Sequence, residues 1–257
     1  MASRFTWFDL MTTDPAAAIA FYGTTLGVGT QVWDGPMPYT MFTRDGVPFG
    51  GVMQLPEAAK AMGAPSHWLG YVGVTDLVES LAKAVSLGAT VLVPSTEVPN
   101  SGRFAVLSDP QKAVFALYQS LTGGGGANKA VSWHELMNDD VEAGIAFYGA
   151  LFGWNKTSAM DMGPMGTYQM FGEGTDSFGG MMKRPPGMPS NAWSYYHNEG
   201  SVAPAAQVAG CSRTEEYLTY FAGSAGSPQR SAAGCQRDRM RKLFLARALR
   251  ARDLEGP

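Results

Sequence analysis

The sequence has no apolar run that approaches the roughly 18 residues a helix needs to cross a membrane, so we expect no membrane partner. Its net charge of −3 provides no overall positive field, so we expect no nucleic acid partner either. The N-terminal residues lack the apolar core of a signal peptide, and we therefore expect a cytoplasmic protein.

Cysteine is also scarce. The only two, Cys211 and Cys235, lie near the C-terminus, and as an unmatched pair of thiols they say little about the redox compartment. The remaining composition is ordinary for a folded protein, because 45% of the residues are hydrophobic and only 16% are charged.

An internal repeat organises the chain. Residues 7–28 and 133–154 are identical at 11 of 22 aligned positions, without a gap. Self-similarity of this kind indicates two copies of one domain. Two later pairs of segments repeat in the same order: 39–42 with 168–171, and 49–53 with 178–182.

Each copy is predicted to begin with a strand, a helix and further strands. Asp14 supplies an N-cap acceptor and Pro15 suits the first helical turn. A second unit of the same kind starts near His67, with Asp76 as its helix cap and a turn at Asp109-Pro110. The first copy therefore consists of two βαβββ modules, and the fold class is α+β.

The second copy is predicted to be incomplete. Its pattern can be followed to residue 198, whereas the tail has no counterpart of the Asp-Pro turn and contains 11 Ala and 8 Arg in 59 residues. A shifted reading frame, a disordered segment and a basic helix that touches nucleic acid or anionic lipid are the alternatives for it. The predicted segments are 5–121 (first domain), 122–130 (Gly-rich linker), 131–198 (partial second domain) and 199–257 (tail).

The repeat resembles the vicinal oxygen chelate superfamily, which includes glyoxalase I, bleomycin-resistance proteins and extradiol dioxygenases. The resemblance rests on the paired modules, the Asp-capped helices that continue into Phe-Tyr-Gly, and the late Asp-Pro turn. The chain is similar in particular to tandem two-domain glyoxalase-like proteins, through the segments 133–136 (Trp-His-Glu-Leu) and 151–154 (Leu-Phe-Gly-Trp). The resemblance implies that the sheet of each module pair curls into a cup.

Enzymes of this family hold a divalent metal in the cup. The resemblance implies ligands at the positions of Trp7 on the first strand and Ala116 on the last, with a third position near Leu69; in the second copy Trp133 takes the place of Trp7. None of these side chains offers a lone pair to a cation, so we predict no metal ligands and no cofactor in the first copy.

Five side chains are predicted to contact a ligand: Trp7, Asp9, Tyr71, Trp133 and Glu135. Strand alternation places Asp9 and Glu135 on the same side as the two tryptophans. Each carboxylate is interpreted as a partner for a cationic ligand group, as a base with a raised pKa, or as a polar residue at the cup rim. The aromatic residues form the walls of the cup or fill the core.

Two functions remain open. The first is a binding protein, similar to bleomycin-resistance proteins, that holds a small organic ligand without a metal. The alternative is a metal-dependent lyase or dioxygenase of the glyoxalase type, which requires a divalent metal. An incomplete second domain also has reason to seek a partner, so a homodimer is a further hypothesis.

Overall fold

The structure, a computed structural model, describes residues 3–121, 128 and 130–197. Most of the predicted linker and the whole of the predicted tail 199–257 lie outside these residues. No helix in the described ranges is long and apolar enough to cross a membrane.

The first copy contains eight strands and three helices. In chain order they are β1 (Phe5–Thr12), α1 (Pro15–Leu26), β2 (Gly29–Val32), β3 (Thr40–Arg44), β4 (Val47–Gln54), α2 (Glu57–Ala61), β5 (His67–Gly73), α3 (Leu77–Ser86), β6 (Thr90–Val98), β7 (Gly102–Ser108) and β8 (Val114–Ser120).

The described part of the second copy contains five strands, one helix and a short 3₁₀ turn. They are β9 (Val131–Asn138), α4 (Val141–Phe152), β10 (Asn155–Asp161), the turn Gly163–Met165, β11 (Thr167–Glu173), β12 (Asp176–Lys183) and β13 (Ala192–His197). Mixed sheets with few helices confirm the α+β class.

The two copies form separate sheets with matching strand pairings. The first has the order β2-β3-β4-β1-β5-β8-β7-β6, and the second has the order β10-β11-β12-β9-β13. In the first sheet β1 lies parallel to β4 and antiparallel to β5, and β9 lies in the same way between β12 and β13. In the first sheet β5 also pairs with β8. Among the described residues, no strand pairs with β13 in the corresponding position.

The predicted helix caps at Asp14 and Asp76 are confirmed, and Asp140 caps α4 in the same way. The Asp14 side chain accepts a hydrogen bond from the Ala17 amide at 2.9 Å, and Asp140 accepts one from Ala143 at 3.0 Å. Asp76 caps α3 through the Glu79 amide at 3.0 Å. These short polar side chains satisfy amides that have no partner in the first helical turn.

Three elements were not predicted, namely α2, β10 and the 3₁₀ turn, and β6 is longer than the sequence indicated. The sequence pattern predicts a strand only near 90–93, but β6 continues past Pro94 to Val98. Both β6 and β10 are edge strands with mostly exposed residues, so they lack the alternation of apolar and polar residues by which a strand is recognised.

The Asp-Pro turn joins the two copies. The Asp109 carboxylate accepts hydrogen bonds from the Gln111 and Ala113 amides within the turn, and from the Tyr148 hydroxyl of α4 at 3.0 Å. The Gln111 side chain also exchanges hydrogen bonds with the backbone of Asp140 at the start of α4. The turn that closes the first copy thus also fixes the helix of the second.

Aromatic packing extends this contact between the copies. Phe5 of β1 stacks on His134 of β9 with the ring centroids 4.4 Å apart, and the Tyr195 hydroxyl accepts a hydrogen bond from the Gly70 amide at 2.9 Å. One hydrophobic cluster contains buried residues of both copies. The described parts therefore share a core instead of touching through a polar surface.

Candidate functional site

The inner face of the first sheet brings one row of residues together across three strands. Trp7 on β1 lies opposite Tyr71 on β5, and Tyr71 lies opposite Ala116 on β8. Asp9, two residues farther along β1, lies opposite Leu69. These residues belong to, or line, an apolar cluster at the centre of the sheet, as strand alternation predicts.

Four of these side chains form a hydrogen-bonded group, which we call the first cluster: Trp7, Asp9, Tyr39 and Tyr71. The Trp7 indole N–H lies 2.9 Å from Asp9 Oδ1 and 2.8 Å from the Tyr39 hydroxyl oxygen. The Tyr39 hydroxyl donates to the same Asp9 oxygen at 2.5 Å, and the Tyr71 hydroxyl also bonds to Asp9. A single carboxylate therefore accepts hydrogen bonds from three neutral aromatic donors.

The electrostatics of Asp9 reflect two opposed effects. Asp9 is only 6% exposed, and burial raises the pKa of its carboxyl group, whereas the hydrogen bonds from Tyr39, Tyr71 and Trp7 lower it; the net direction is upward. Burial and the negative charge of Asp9 both raise the pKa of Tyr39 and of Tyr71. The two phenols therefore stay protonated and act as donors.

The second copy repeats this arrangement in what we call the second cluster: Trp133, Glu135, Tyr168 and Tyr196. The Trp133 indole donates to the Tyr168 hydroxyl at 2.7 Å, and that hydroxyl donates to Glu135 Oε2 at 3.2 Å. Tyr196 lies opposite Trp133, as Tyr71 lies opposite Trp7. Burial, followed by the charge of Glu135, raises the pKa of Tyr168 well above its usual value.

Two glycines make room for the tyrosines of these clusters. A Cβ atom on Gly51 of β4 would lie 2.0 Å from the Tyr39 hydroxyl, and one on Gly180 of β12 would lie 2.2 Å from the Tyr168 ring. The preceding glycines, Gly50 and Gly179, instead lie against the backbone carbonyls of Phe8 and His134. Each repeated Gly-Gly pair thus allows close strand approach on one face and an aromatic ring on the other.

A large cavity of about 2390 Å³ opens in front of these residues. Trp7, Asp9 and Tyr71 line it, as does Glu135 of the second copy. Among the described residues that line this cavity, Trp133 is absent. Trp133 packs instead against a cluster of methionines around Tyr168.

The residues at the implied metal positions do not fit a metal ion. Trp7 and Ala116 lie in the same cross-strand row, and Leu69 lies two pairs away, but none of their side chains has a lone pair to offer a cation. Asp9 is near, but its Oδ1 already accepts two hydrogen bonds. No group of three His, Cys, Asp or Glu side chains in the described ranges is arranged to hold a metal.

Neither His134 nor His67 belongs to the two clusters. His134 is buried on the opposite face of β9, stacked on Phe5, and its Nδ1 lies 2.7 Å from the Phe178 carbonyl oxygen. Burial lowers the pKa of His134 to about 4. His67 lines the cavity, with its Nδ1 2.7 Å from the Pro65 carbonyl oxygen.

The sequence reasoning missed Tyr39 and Tyr168 as members of the site. Both begin repeated segments, 39–42 and 168–171, and the same residue type recurs at equivalent places in the two copies. That recurrence was the available signal. It was interpreted only as evidence of duplication, because β3 is separated from β1 by more than 25 residues and its pairing with β4 was unknown.

Comparison with known proteins agrees with this fold. A family described as glyoxalase-like domain matches residues 6–118. A Mycobacterium bovis protein provisionally named glyoxylase CFP32 is 30% identical over 79% of this chain and 80% of its own length. The anthracycline biosynthesis protein DauV of Streptomyces sp. is 32% identical over 57% of this chain and 59% of its own length.

A solved structure shares the fold at low sequence identity. The Mn(II)-bound glyoxalase from Novosphingobium aromaticivorans superposes with a TM-score of 0.53 and 12% identity, over 85% of this chain and 70% of that one.

Proposed function

The chain belongs to the vicinal oxygen chelate superfamily as a glyoxalase-like protein, and from this premise we propose that its first copy binds a small organic ligand without a protein-bound metal. The observation that carries the proposal is the first cluster itself. Where the resemblance implies metal ligands, the sheet carries an indole, an isobutyl and a methyl group beside a carboxylate that three neutral donors hold in place.

The cavity wall indicates what such a ligand is like. Besides the first cluster, it carries the aromatic rings of Trp33 and Phe104 and the flexible side chains of Met11, Met41 and Met53. Aromatic rings favour flat apolar ligands, and methionine adapts its shape to irregular ones. DauV takes its name from anthracycline biosynthesis, and an anthracycline has a flat fused ring system of this kind. We therefore propose a planar, mainly apolar organic molecule as the ligand.

Calorimetric titration of the full chain with 9-anthracenemethanol, a neutral planar probe, tests this proposal. We expect saturable binding with about one probe per chain, and we expect EDTA to leave the affinity unchanged. Replacing Trp7 with Phe removes part of the ring and the indole N–H, and should weaken binding about tenfold. Val78→Phe, on the exposed face of α3, alters an apolar side chain outside the cavity and serves as the control.

Absence of saturable binding to the wild-type chain would contradict the proposal. Native mass spectrometry of the purified protein adds a second test, because a natural ligand held in a deep apolar cavity should copurify as a discrete added mass.

A metal-dependent lyase or dioxygenase is the second candidate, favoured by the names of CFP32 and of the Mn(II)-bound glyoxalase. Metal analysis of the purified chain separates the two candidates. One equivalent of Mn, Fe, Ni or Zn that resists dialysis, together with binding that EDTA abolishes, would favour the enzyme.

A further inference from the structure

Among the described residues, Asp9 is a buried carboxylate without a cationic partner. The residue is 6% exposed. Burial and three neutral hydrogen-bond donors shift the pKa of its carboxyl group, and no Lys, Arg or His is among these causes. Basic side chains do occur on the described cavity wall, but none of them is paired with Asp9; they are His67, Lys112, Lys183 and Arg184.

The neutral donors favour the charged form of this carboxylate. The hydrogens of the Trp7 indole and of the Tyr39 hydroxyl both point at Oδ1, and the Tyr71 hydroxyl also bonds to Asp9. Hydrogen bonds donated to a carboxylate stabilise its anion. They cannot replace a counter-ion, however, because a buried charge that is not paired remains costly. A bound cation would supply the missing counter-ion and so favour the charged form of Asp9.

The surroundings of Asp9 select the type of cation. Trp7, Tyr39 and Tyr71 present aromatic rings next to the carboxylate, and such rings attract organic cations through their faces. A divalent metal ion needs several lone-pair donors, which Leu69 and Ala116 do not supply. An organic ammonium group needs only one anion and an aromatic surface.

We propose that the ligand of the first cluster carries an organic ammonium group that pairs with the Asp9 carboxylate between the rings of Trp7, Tyr39 and Tyr71. This inference rests on the proposed function, and it names the chemical class of the ligand: a planar aromatic amine that is positively charged at neutral pH. In this arrangement the rings hold the body of the ligand and Asp9 selects its charge.

The test compares three probes that share one ring system. Anthracen-9-ylmethylammonium is a cation, 9-anthracenemethanol is neutral and anthracene-9-carboxylate is an anion, and each is titrated into the full chain by calorimetry. We expect the ammonium probe to bind about 10- to 100-fold more tightly than the alcohol, and the carboxylate to bind more weakly than both. Equimolar Mn²⁺ should not displace the ammonium probe.

Substitution at the carboxylate sharpens the test. Asp9→Asn keeps the size of the side chain but removes its charge, so the affinities of this variant for the ammonium probe and for the alcohol should agree within about threefold. Glu79→Gln makes the same change on the exposed face of α3, and should leave the preference intact. Should Asp9→Asn not fold, Tyr39→Phe serves instead, since it removes a hydroxyl that favours the charged form of Asp9 and should therefore reduce the ammonium preference.

The outcomes distinguish the two proposals. Tight binding of the alcohol with no added affinity for the ammonium probe would overturn this inference and leave the proposed function standing. The inference also fails, by itself, if Asp9→Asn keeps the full preference or if Mn²⁺ displaces the ammonium probe. If none of the three probes binds, the proposed function fails and this inference fails with it.

Discussion

The two copies carry the same cluster with different acids. In the first copy Tyr39 donates to Asp9 at 2.5 Å, and in the second Tyr168 donates to Glu135 at 3.2 Å. The residue opposite the acid also differs, because Leu69 faces Asp9 while Ser194 faces Glu135. Both copies therefore keep an indole, a phenol and an acid in the same arrangement. They differ in the length of the acidic side chain and in the residue opposite it.

A second difference lies on the other face of the first strand. Phe8 of β1 corresponds in the repeat to His134 of β9, and both rings are buried where the copies meet. The His134 ring bonds to the Phe178 carbonyl through Nδ1, while its Nε2 is buried without a hydrogen-bond partner among the described residues. The second copy therefore has an ionisable ring where the first has a phenyl ring.

The largest predicted effect concerns this histidine. The folded-state pKa of His134 is about 4, below the ordinary value of 6.5, so the folded chain holds the ring neutral while the unfolded chain takes up a proton below pH 6.5. Stability is therefore full above pH 6.5 and falls as the pH decreases toward 4, by about 3 kcal/mol from this residue. Urea unfolding across pH 4–7 measures the loss.

His134→Phe installs the residue of the other copy and should remove that part of the pH dependence. Part of the dependence should persist, because burial also lowers the pKa of His197 to about 4. An unchanged pH profile in His134→Phe would show that the ring does not titrate as its burial predicts.

The next largest effect separates the two members of each Gly-Gly pair. A Cβ on Gly179 would lie 2.4 Å from the His134 carbonyl oxygen, which is backbone and cannot turn away, whereas a Cβ on Gly180 meets the Tyr168 side chain. We expect Gly179→Ala to lower the free energy of unfolding by about 2–3 kcal/mol. Gly180→Ala should cost less and displace Tyr168, visible as a change in near-ultraviolet circular dichroism.

The corresponding pair in the first copy provides the comparison. Gly50→Ala meets the Phe8 carbonyl oxygen, also at 2.4 Å, and should cost no more than Gly179→Ala, whose Cβ would in addition lie 2.3 Å from the Phe171 ring. Gly51→Ala should disturb Tyr39 and weaken binding of the planar probe. Equal losses of stability from both members of a pair would contradict the assignment of different neighbours.

A smaller effect is expected where the copies are joined. Tyr148→Phe removes the hydroxyl that donates to the buried Asp109 carboxylate and accepts from the Trp193 indole. Loss of this bridge should cost about 1–2 kcal/mol in urea unfolding. Tyr22, which precedes Gly23 as Tyr148 precedes Gly149 in the repeat, likewise accepts from an indole, that of Trp68 at 3.0 Å, so Tyr22→Phe is the matched variant.

The smallest effect comes from exchanging the two acids. Asp9→Glu and Glu135→Asp each change one methylene group and keep the charge, so we expect stability to change by about 1 kcal/mol or less. Binding should respond more in the first copy, because the longer side chain shifts the carboxylate away from Tyr39 and Tyr71. An unaltered affinity in Asp9→Glu would show that the position of this charge is not critical.

Much of the architecture could be predicted from the sequence. The repeat established two copies, the caps at Asp14, Asp76 and Asp140 located three helices, and strand alternation placed Trp7 and Asp9 on one face. Exposed edge strands such as β6 and β10 could not be bounded in this way, because no buried face imposes alternation on them. Trp133 packs beside Tyr168 and several methionines in the second copy, and its contact with a ligand stays a prediction.

The sequence by itself determined which side chains belong to the Asp-capped helices and the buried strands of each copy, since caps and alternation are local and act within a few residues. Only the tertiary structure decided that Tyr39 reaches Asp9 over Gly51, and that Tyr148 reaches Asp109 from the other copy. Both contacts join residues that are far apart along the chain. Their existence depends on how strands pair and sheets pack, which no local pattern specifies.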